Sequence, residues 1–211
     1  MKFIVAAPEL LEHLSKVSGA IVSKPVLPIL DNFLFDIKSG TLTISTTDLE
    51  TSMSTSLKVE SKDDILVAIP SRLLIDTVKM LNDQPITFTV NEETFGIELG
   101  TANGRYKLAG QSGTDFPKVP EIESESAFSM PSNVLLRCIS KTLFATGNDD
   151  LRLNLTGVFV ELYNDSINFV ATDANRLVKL TRHDIKPGME HTFILPKKAL
   201  NLLKSSLSND V

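Results

Sequence analysis

Apolar residues along the chain recur at two spacings, and stretches of the two kinds alternate. Residues 1–6 read as a strand. Behind Pro8-Glu9, the residues Leu10, Leu11, Leu14 and Val17 recur at helical spacing as far as Gly19, which predicts a helix over 8–19. Residues 33–37, the turn Lys38-Ser39-Gly40 and the alternating Thr41-Leu42-Thr43-Ile44-Ser45 predict a hairpin with one polar and one apolar face. A second helix over 71–82 starts at Pro70-Ser71, buries Leu73, Leu74, Val78 and Leu81, and stops at Asn82-Asp83. Strands at 86–90, 95–99 and 105–109, with Asn103-Gly104 as a tight turn, close the unit.

The same pattern returns at a displacement of 125 residues. Leu10-Leu11-Glu12-His13-Leu14-Ser15-Lys16 matches Leu135-Leu136-Arg137-Cys138-Ile139-Ser140-Lys141. Leu30 meets Leu155, Phe33-Leu34-Phe35-Asp36-Ile37 meets Val158-Phe159-Val160-Glu161-Leu162, and Thr47-Asp48 meets Thr172-Asp173 without a gap. One slip follows, since Ile69-Pro70 meets Leu195-Pro196 at 126. Register held over some sixty positions predicts two copies of one domain, at 1–120 and 126–211, parted near Pro117 to Ser126. The second copy places helices over 131–146 and 196–207, and the partner of Ile86 would fall on Val211. Its final strands are therefore expected to be missing, as in a truncated fragment with an unpaired sheet edge. The fold class expected is α+β, with two helices packed on antiparallel sheets in each domain and the second domain incomplete.

The composition changes this picture little. The 211 residues are 42% apolar and 22% charged, enough for a sizeable core and too apolar for general disorder. The formal charge of −5, with no basic tail, argues against indiscriminate electrostatic binding. The distribution of charge says more. The four predicted helices carry eight Lys or Arg against three acids, leaving thirteen bases and twenty-three acids for strands and loops. If both helices of a copy lie on one side of its sheet, that side is basic and can face a polyanion; the alternative is ordinary helix-forming Lys and Arg on a solvated face. There is no zinc-finger spacing, basic zipper or RNP-type aromatic motif, so contacts to nucleic acid would go to the backbone.

Catalytic and metal chemistry find little support. The single Cys138 excludes an intramolecular disulfide, fits helix register as a buried inert thiol, and agrees with a reducing compartment. His13 falls on a helix face; His183 and His191 lack an acidic partner at metal-ligand spacing, and HExxH, GxSxG, GxGxxG and P-loop motifs are absent. Gly100 and Gly104 flank a turn, and Asn154-Leu155-Thr156 is a sequon of no consequence in the cytosol. No metal and no cofactor are expected. The start, Lys2 followed by a short apolar run broken at Pro8, makes no signal peptide, and no run approaches a membrane span, so a cytoplasmic protein without membrane contact is expected.

Several motifs are specific enough to carry a resemblance. Met1-Lys2-Phe3, Ser23-Lys24-Pro25-Val26-Leu27-Pro28-Ile29-Leu30, Thr47-Asp48-Leu49-Glu50, Asp115-Phe116-Pro117 and Val170-Ala171-Thr172-Asp173-Ala174-Asn175-Arg176-Leu177 resemble the bacterial sliding clamp family, the beta subunit of DNA polymerase III. The resemblance covers the whole chain as a first domain and most of a second; the family's third domain has no counterpart. It implies a processivity factor for DNA replication: a head-to-tail homodimeric ring of like domains whose helices surround duplex DNA, holding it without regard to base sequence. It implies an accessory subunit rather than an enzyme. Partners such as the polymerase alpha subunit, the clamp loader delta subunit and other clamp-motif proteins would insert a short peptide with a Gln and terminal hydrophobic residues.

By position, the resemblance assigns DNA contacts to Lys24, Arg72, Arg152, Lys197 and Lys198. Asp149, Leu153 and Asn154 depart from the polar amide and aromatic residues of well-known members, which weakens the DNA assignment of the Arg152 loop. One wall of the peptide pocket falls on Leu155, Thr172, Ala174, Asn175, Arg176 and Leu177, with Ala174-Asn175 in place of a common Gly-His. Tyr106 and Leu108 match a strand of the ring interface, whose partner domain is missing, so this chain is expected to be monomeric. Two alternatives stand beside this reading: a protein-binding module without a DNA role, and a small-molecule enzyme. The Thr-Asp pairs also have a simpler use as turn caps between strands.

Overall fold

A computed structural model describes residues 1–22, 24–118, 127–149 and 151–207. The chain divides into two units, Met1–Glu121 and Ile122–Val211. The expected parting near Pro117 to Ser126 lies largely outside the described residues.

In the first unit, β1 (Lys2–Ala6) runs straight into α1 (Ala7–Val17), which Pro8 is well suited to open because its fixed φ fits the first turn. Then come β2 (Asn32–Lys38), β3 (Thr41–Thr47), β4 (Ser52–Lys58), β5 (Glu60–Ser61) and β6 (Ile65–Pro70). The second half holds α2 (Ser71–Lys79), β7 (Pro85–Val90), β8 (Gly96–Thr101), β9 (Gly104–Ala109) and β10 (Gln111–Ser112). Ser39 and Gly40, both with positive φ (48° and 73°), make the tight turn between β2 and β3 that Lys38-Ser39-Gly40 predicts.

These strands form two antiparallel five-stranded sheets, ordered β5-β1-β7-β8-β9 and β10-β6-β2-β3-β4. The order hides a second repeat: strand, helix and three-stranded meander occur twice, and each leading strand is seated in the other half's sheet. Thus β1 pairs with β7, putting Phe3 opposite Phe88, while β6 pairs with β2, putting Val67 opposite Phe35. The Phe3 and Phe88 rings stack at 4.6 Å, and Phe35 lies 6.3 Å from each. Around them Leu10, Leu14, Val17, Leu74 and Val78 bring both helices onto one core.

The second unit holds α3 (Ser132–Thr142), β11 (Gly157–Leu162), β12 (Ile167–Thr172), β13 (Leu177–Arg182), β14 (His191–Pro196) and α4 (Lys197–Ser206). At a displacement of 125, α1 maps onto α3 end to end, and the 3-10 turn Ser18–Ala20 maps onto Leu143–Ala145; at 126, β6 maps onto β14. The order β6-β2-β3-β4 reappears as β14-β11-β12-β13. Among the described residues this is the unit's one sheet. Phe128, Met130, Leu135, Phe193 and Leu195 therefore stay half-buried around an apolar hollow of about 440 Å³. Their counterparts Phe3, Val5, Leu10, Val67 and Ile69 are buried in the first unit.

Three expectations need correction. The second helix ends at Lys79, short of Asn82, and Leu73 is 58% exposed, because it is turned about 100° from the face that Leu74 and Val78 share. The helices expected over 8–19 and 131–146 end at Val17 and Thr142, each followed by a 3-10 turn. Finally, β4 and β6 were not expected at all. In β4, Ser and Thr dominate and Leu57 is the residue that is fully buried, so its apolar signal is faint.

Candidate functional site

The expected peptide wall forms around a turn that closes β12 onto β13. Thr172 Oγ1 donates to the Arg176 carbonyl (2.7 Å) and accepts from the Ala174 amide (3.1 Å). Asp173 Oδ1 accepts from the amides of Asn175 and Arg176 (both 3.0 Å). Those two donors, with the Arg176 guanidinium on Oδ2 at 2.9 Å, hold the Asp173 carboxyl below its usual range. Such Asx geometry is what a Thr-Asp pair dictates locally. Ala174 takes the left-handed conformation, φ 75°, that a glycine would take without steric cost.

The turn leaves Leu177 66% exposed at the start of β13, beside Arg176. The Arg176 guanidinium lies over the Phe144 ring, Cζ to centroid 5.7 Å. Phe144, itself largely exposed, was missed in the sequence because it falls inside the expected helix 131–146; its counterpart at the 125-residue displacement is Gly19, and that exchange was the available signal. Leu155, half-buried, ends the 3-10 turn Leu153–Leu155 and receives the Gly147 amide on its carbonyl at 2.7 Å. Hence Thr172, Ala174, Asn175, Arg176 and Leu177 share one turn with Phe144 against it, while Leu155 closes the loop that follows Phe144.

The expected DNA residues gather differently in each unit. Arg72 stands exposed in the first turn of α2 and lines a cleft of about 330 Å³ with Val22, Ile75 and Lys79; Lys24, also exposed, follows two residues after Val22. Lys197 opens α4, where its amide donates to Thr156 (3.3 Å) and its Nζ to Asn148 (2.6 Å), so α4 starts against the loop that carries Arg152. Lys198 is half-buried beside it. Arg152 is already engaged: its Nε donates to Asp149 Oδ2 at 2.8 Å, and that bond, with the Leu151 amide, lowers the Asp149 pKa. On either side Leu151 and Leu153 are 94% and 70% exposed. Five of the six side-chain ion pairs among the described residues use strand or loop cations. Of the helix cations Lys16 is paired, whereas Arg72, Lys79, Arg137, Lys141, Lys197 and Lys204 have no acidic partner among the described residues.

Tyr106 and Leu108 both lie on β9, the edge of its sheet, and do different things there. Tyr106 is exposed; Leu108 packs partly against the unit's core. Cys138 is buried, and burial pushes its thiol pKa up, away from nucleophilic reactivity. No group of three His, Cys, Asp or Glu side chains among the described residues could hold a metal, and no described helix is long and apolar enough to cross a membrane.

Comparison with known proteins bears on the family to which both units belong. The "Beta sliding clamp" of Synechococcus elongatus is 32% identical over 213 residues, covering 99% of this chain and 56% of the relative. That of Haemophilus influenzae is also 32% identical, covering 100% and 58%. A solved sliding clamp from Pseudomonas aeruginosa bound to griselimycin superposes with a TM-score of 0.88 at 29% identity, over 97% of this chain and 56% of that one. A DNA polymerase sliding clamp from Bacillus subtilis, at 22% identity, shares the fold with a TM-score of 0.94 over 99% of this chain and 57% of its own. The chain thus spans little more than half the length of these relatives. Family models described as the N-terminal and central domains of the DNA polymerase III beta subunit match residues 1–120 and 129–211. With both of its units so matched, the chain belongs to the DNA polymerase III beta subunit family, the bacterial sliding clamps.

Proposed function

We propose that this chain works as part of a sliding clamp, a non-catalytic ring that encloses duplex DNA and tethers the replicative polymerase and other partners through a peptide-docking surface. The observation that carries the reading is the pair Arg176 and Leu177 on one turn with the exposed Phe144 against it, where the matching positions of the first unit hold Thr51, Ser52 and Gly19. One scaffold with two decorations argues that the apolar one is there to be covered. Leu155 and Leu177 would anchor the hydrophobic end of the peptide, with Thr172, Ala174 and Asn175 shaping the floor. Tyr106 and Leu108, on the open edge of β9, would meet the neighbouring subunit of a head-to-tail ring.

Toward DNA, Arg72, Lys197 and Lys198, with Lys24, supply a few cations without base readers. Each phosphate neutralised releases condensed counterions, so few contacts make a hold that is weak and salt-sensitive, which suits movement along the duplex. For the Arg152 loop a protein contact is the better reading, given the Asp149 ion pair and the exposed Leu151 and Leu153.

The test is a titration with the peptide Gln-Leu-Asn-Leu-Phe-amide followed by amide NMR. Shifts are expected at 172–177, with Leu177→Ala and Leu155→Ala each weakening binding about tenfold, as loss of a buried anchor does. Unchanged affinity in both variants would overturn the docking site. In parallel, crosslinking to duplex DNA across a salt series should show a slope that falls by about 0.9 for each of Arg72→Gln, Lys197→Gln and Lys198→Gln. Slopes equal to that of the unsubstituted protein would leave a protein-binding module without a DNA role.

A further inference from the structure

One edge strand sets the second unit apart from the first. In the first unit β6 has a neighbour on each side, β2 on one and β10 on the other, with Gln111 opposite Ala68 and Ser112 opposite Val67. The chain then passes so close over β6 that a Cβ on Gly113 would meet Leu66 Cγ at 2.6 Å. The counterpart β14 pairs with β11 alone, among the described residues, and ends its sheet. The outer row of amides and carbonyls along His191–Pro196 is therefore open to another strand. Phe193 and Leu195 line the apolar hollow with Phe128, Met130 and Leu203, while Ile194, 42% exposed, points to the opposite face of the sheet.

The other described edges are guarded. Lys58 stands on β4, Arg105 and Lys107 on β9, Lys179 and Arg182 on β13 and Glu60 on β5, while β10 is only two residues long. Charged side chains on an edge, lysine above all, discourage its pairing with another chain. In contrast β14, His-Thr-Phe-Ile-Leu-Pro, has no Lys, Arg, Asp or Glu, and its register with β11 runs from Gly157↔Pro196 to Leu162↔His191 without a bulge. This neutrality decides the occupant, because an identical strand meets no repulsion there, whereas copies of β4, β9 or β13 would bring cations together. A twofold axis through Ile194 pairs the strand with itself, antiparallel, and sets Phe193 opposite Leu195 of a second copy, an aromatic against a branched side chain. Two four-stranded sheets join into one, and the two hollows share a floor.

We propose that the 211-residue chain pairs with a second copy of itself along β14, antiparallel and centred on Ile194. The contact is isologous and lies within the second unit, whereas the head-to-tail contact at β9 joins two different surfaces. It therefore stands or falls apart from the ring and from peptide docking.

The test is sedimentation equilibrium of the 211-residue chain over about 1–100 µM, where a contact of moderate affinity shows itself. The mass is expected to climb from 23.1 kDa toward twice that value. Ile194→Lys sets two ammonium groups across the axis and should weaken pairing at least about tenfold. Ser54→Lys, the same charge on the exposed side of β4, should leave it unaltered, and far-UV circular dichroism should show both variants folded. Register is read by oxidation in a Cys138→Ala background. Ile194→Cys should give a crosslinked dimer. Thr192→Cys should not, because the two copies of that position lie four residues apart along the strands, about 13 Å, beyond the roughly 7 Å between Cα atoms that a disulfide can bridge. A mass that stays at 23.1 kDa, a dimer that persists in Ile194→Lys, or crosslinking at Thr192→Cys that matches or exceeds that at Ile194→Cys overturns the proposal.

Discussion

The turn at 47–52 in the first unit and the turn at 172–177 in the second are the same piece of backbone put to different use. In each, a threonine hydroxyl accepts the amide two residues on, at 3.1 Å in both, and an aspartate Oδ1 accepts the next two amides. In each, the residue after the aspartate is left-handed without being glycine, Leu49 at φ 79° and Ala174 at φ 75°. A device repeated so closely in two units serves the architecture. What differs is what the turn carries: Thr51 and Ser52 in one, Arg176 and Leu177 in the other. An internal duplicate thus separates the residues that make a turn from those that give it a task.

The cores differ as well, and the largest effects should come from there. Phe3, fully buried and stacked on Phe88, has Phe128 as its half-buried counterpart. Phe3→Ala should cost about 3–5 kcal/mol in urea unfolding, and Phe128→Ala no more than about half of that. Equal losses would show that the second unit buries Phe128 in solution. Because among the described residues the first unit's core cluster has twenty-two buried residues and the second's eleven, the second should unfold at lower denaturant. Cys138 lies in the smaller core, so its alkylation should rise with the first of two transitions. A single coincident transition for thiol and fluorescence probes would argue for one cooperative unit instead.

A smaller effect tests the turns as docking elements. Ser52→Leu puts a leucine at the first unit's counterpart of Leu177, beside the Leu49 already there, but supplies no counterpart of Phe144 or Arg176. Amide shifts induced by Gln-Leu-Asn-Leu-Phe-amide should still appear at 172–177 and not at 47–52. Shifts at both would mean that an exposed leucine alone makes the site.

The smallest effects concern the turns themselves. Leu49→Gly and Ala174→Gly should each stabilise by about 0.5 kcal/mol or less, since relief of left-handed strain outweighs by little the added freedom of the unfolded chain. A loss in either would show that the side chain contributes packing there. For Asp173 the direction with pH follows from its lowered pKa. The charged form is favoured in the folded state, so its contribution is present above the ordinary value of 3.8 and is lost as pH falls through the depressed folded value. The Asn175 and Arg176 amide shifts should therefore titrate with a midpoint below 3.8; a midpoint at or above it would mean that the Asp173 hydrogen bonds do not hold in solution.

Much of this was legible in the residues, for identifiable reasons. The 125-residue displacement was visible because helix and strand periods both kept register, and the Thr-Asp pairs announced their turns because short polar side chains bond local amides wherever they stand. Phe144 was hidden because an aromatic in helical register reads as core until the helix ends, here at Thr142. The edge strand β4, mostly Ser and Thr with Leu57 its one buried residue, has too weak an alternation to stand out. The Asp149-Arg152 pair could have been foreseen from its i,i+3 spacing, beside the departures at Asp149, Leu153 and Asn154 that the sequence already showed. No periodicity predicts the exchange of leading strands, because it depends on pairing between segments far apart.

That exchange has a consequence during synthesis. Phe3 leaves the ribosome eighty-five residues ahead of Phe88, the partner on which it stacks. At about 5–20 residues per second, the N-terminal strand waits for something on the order of ten seconds with its hydrophobic face uncovered. Maturation of the first unit is therefore timed by translation of its second half rather than by local folding.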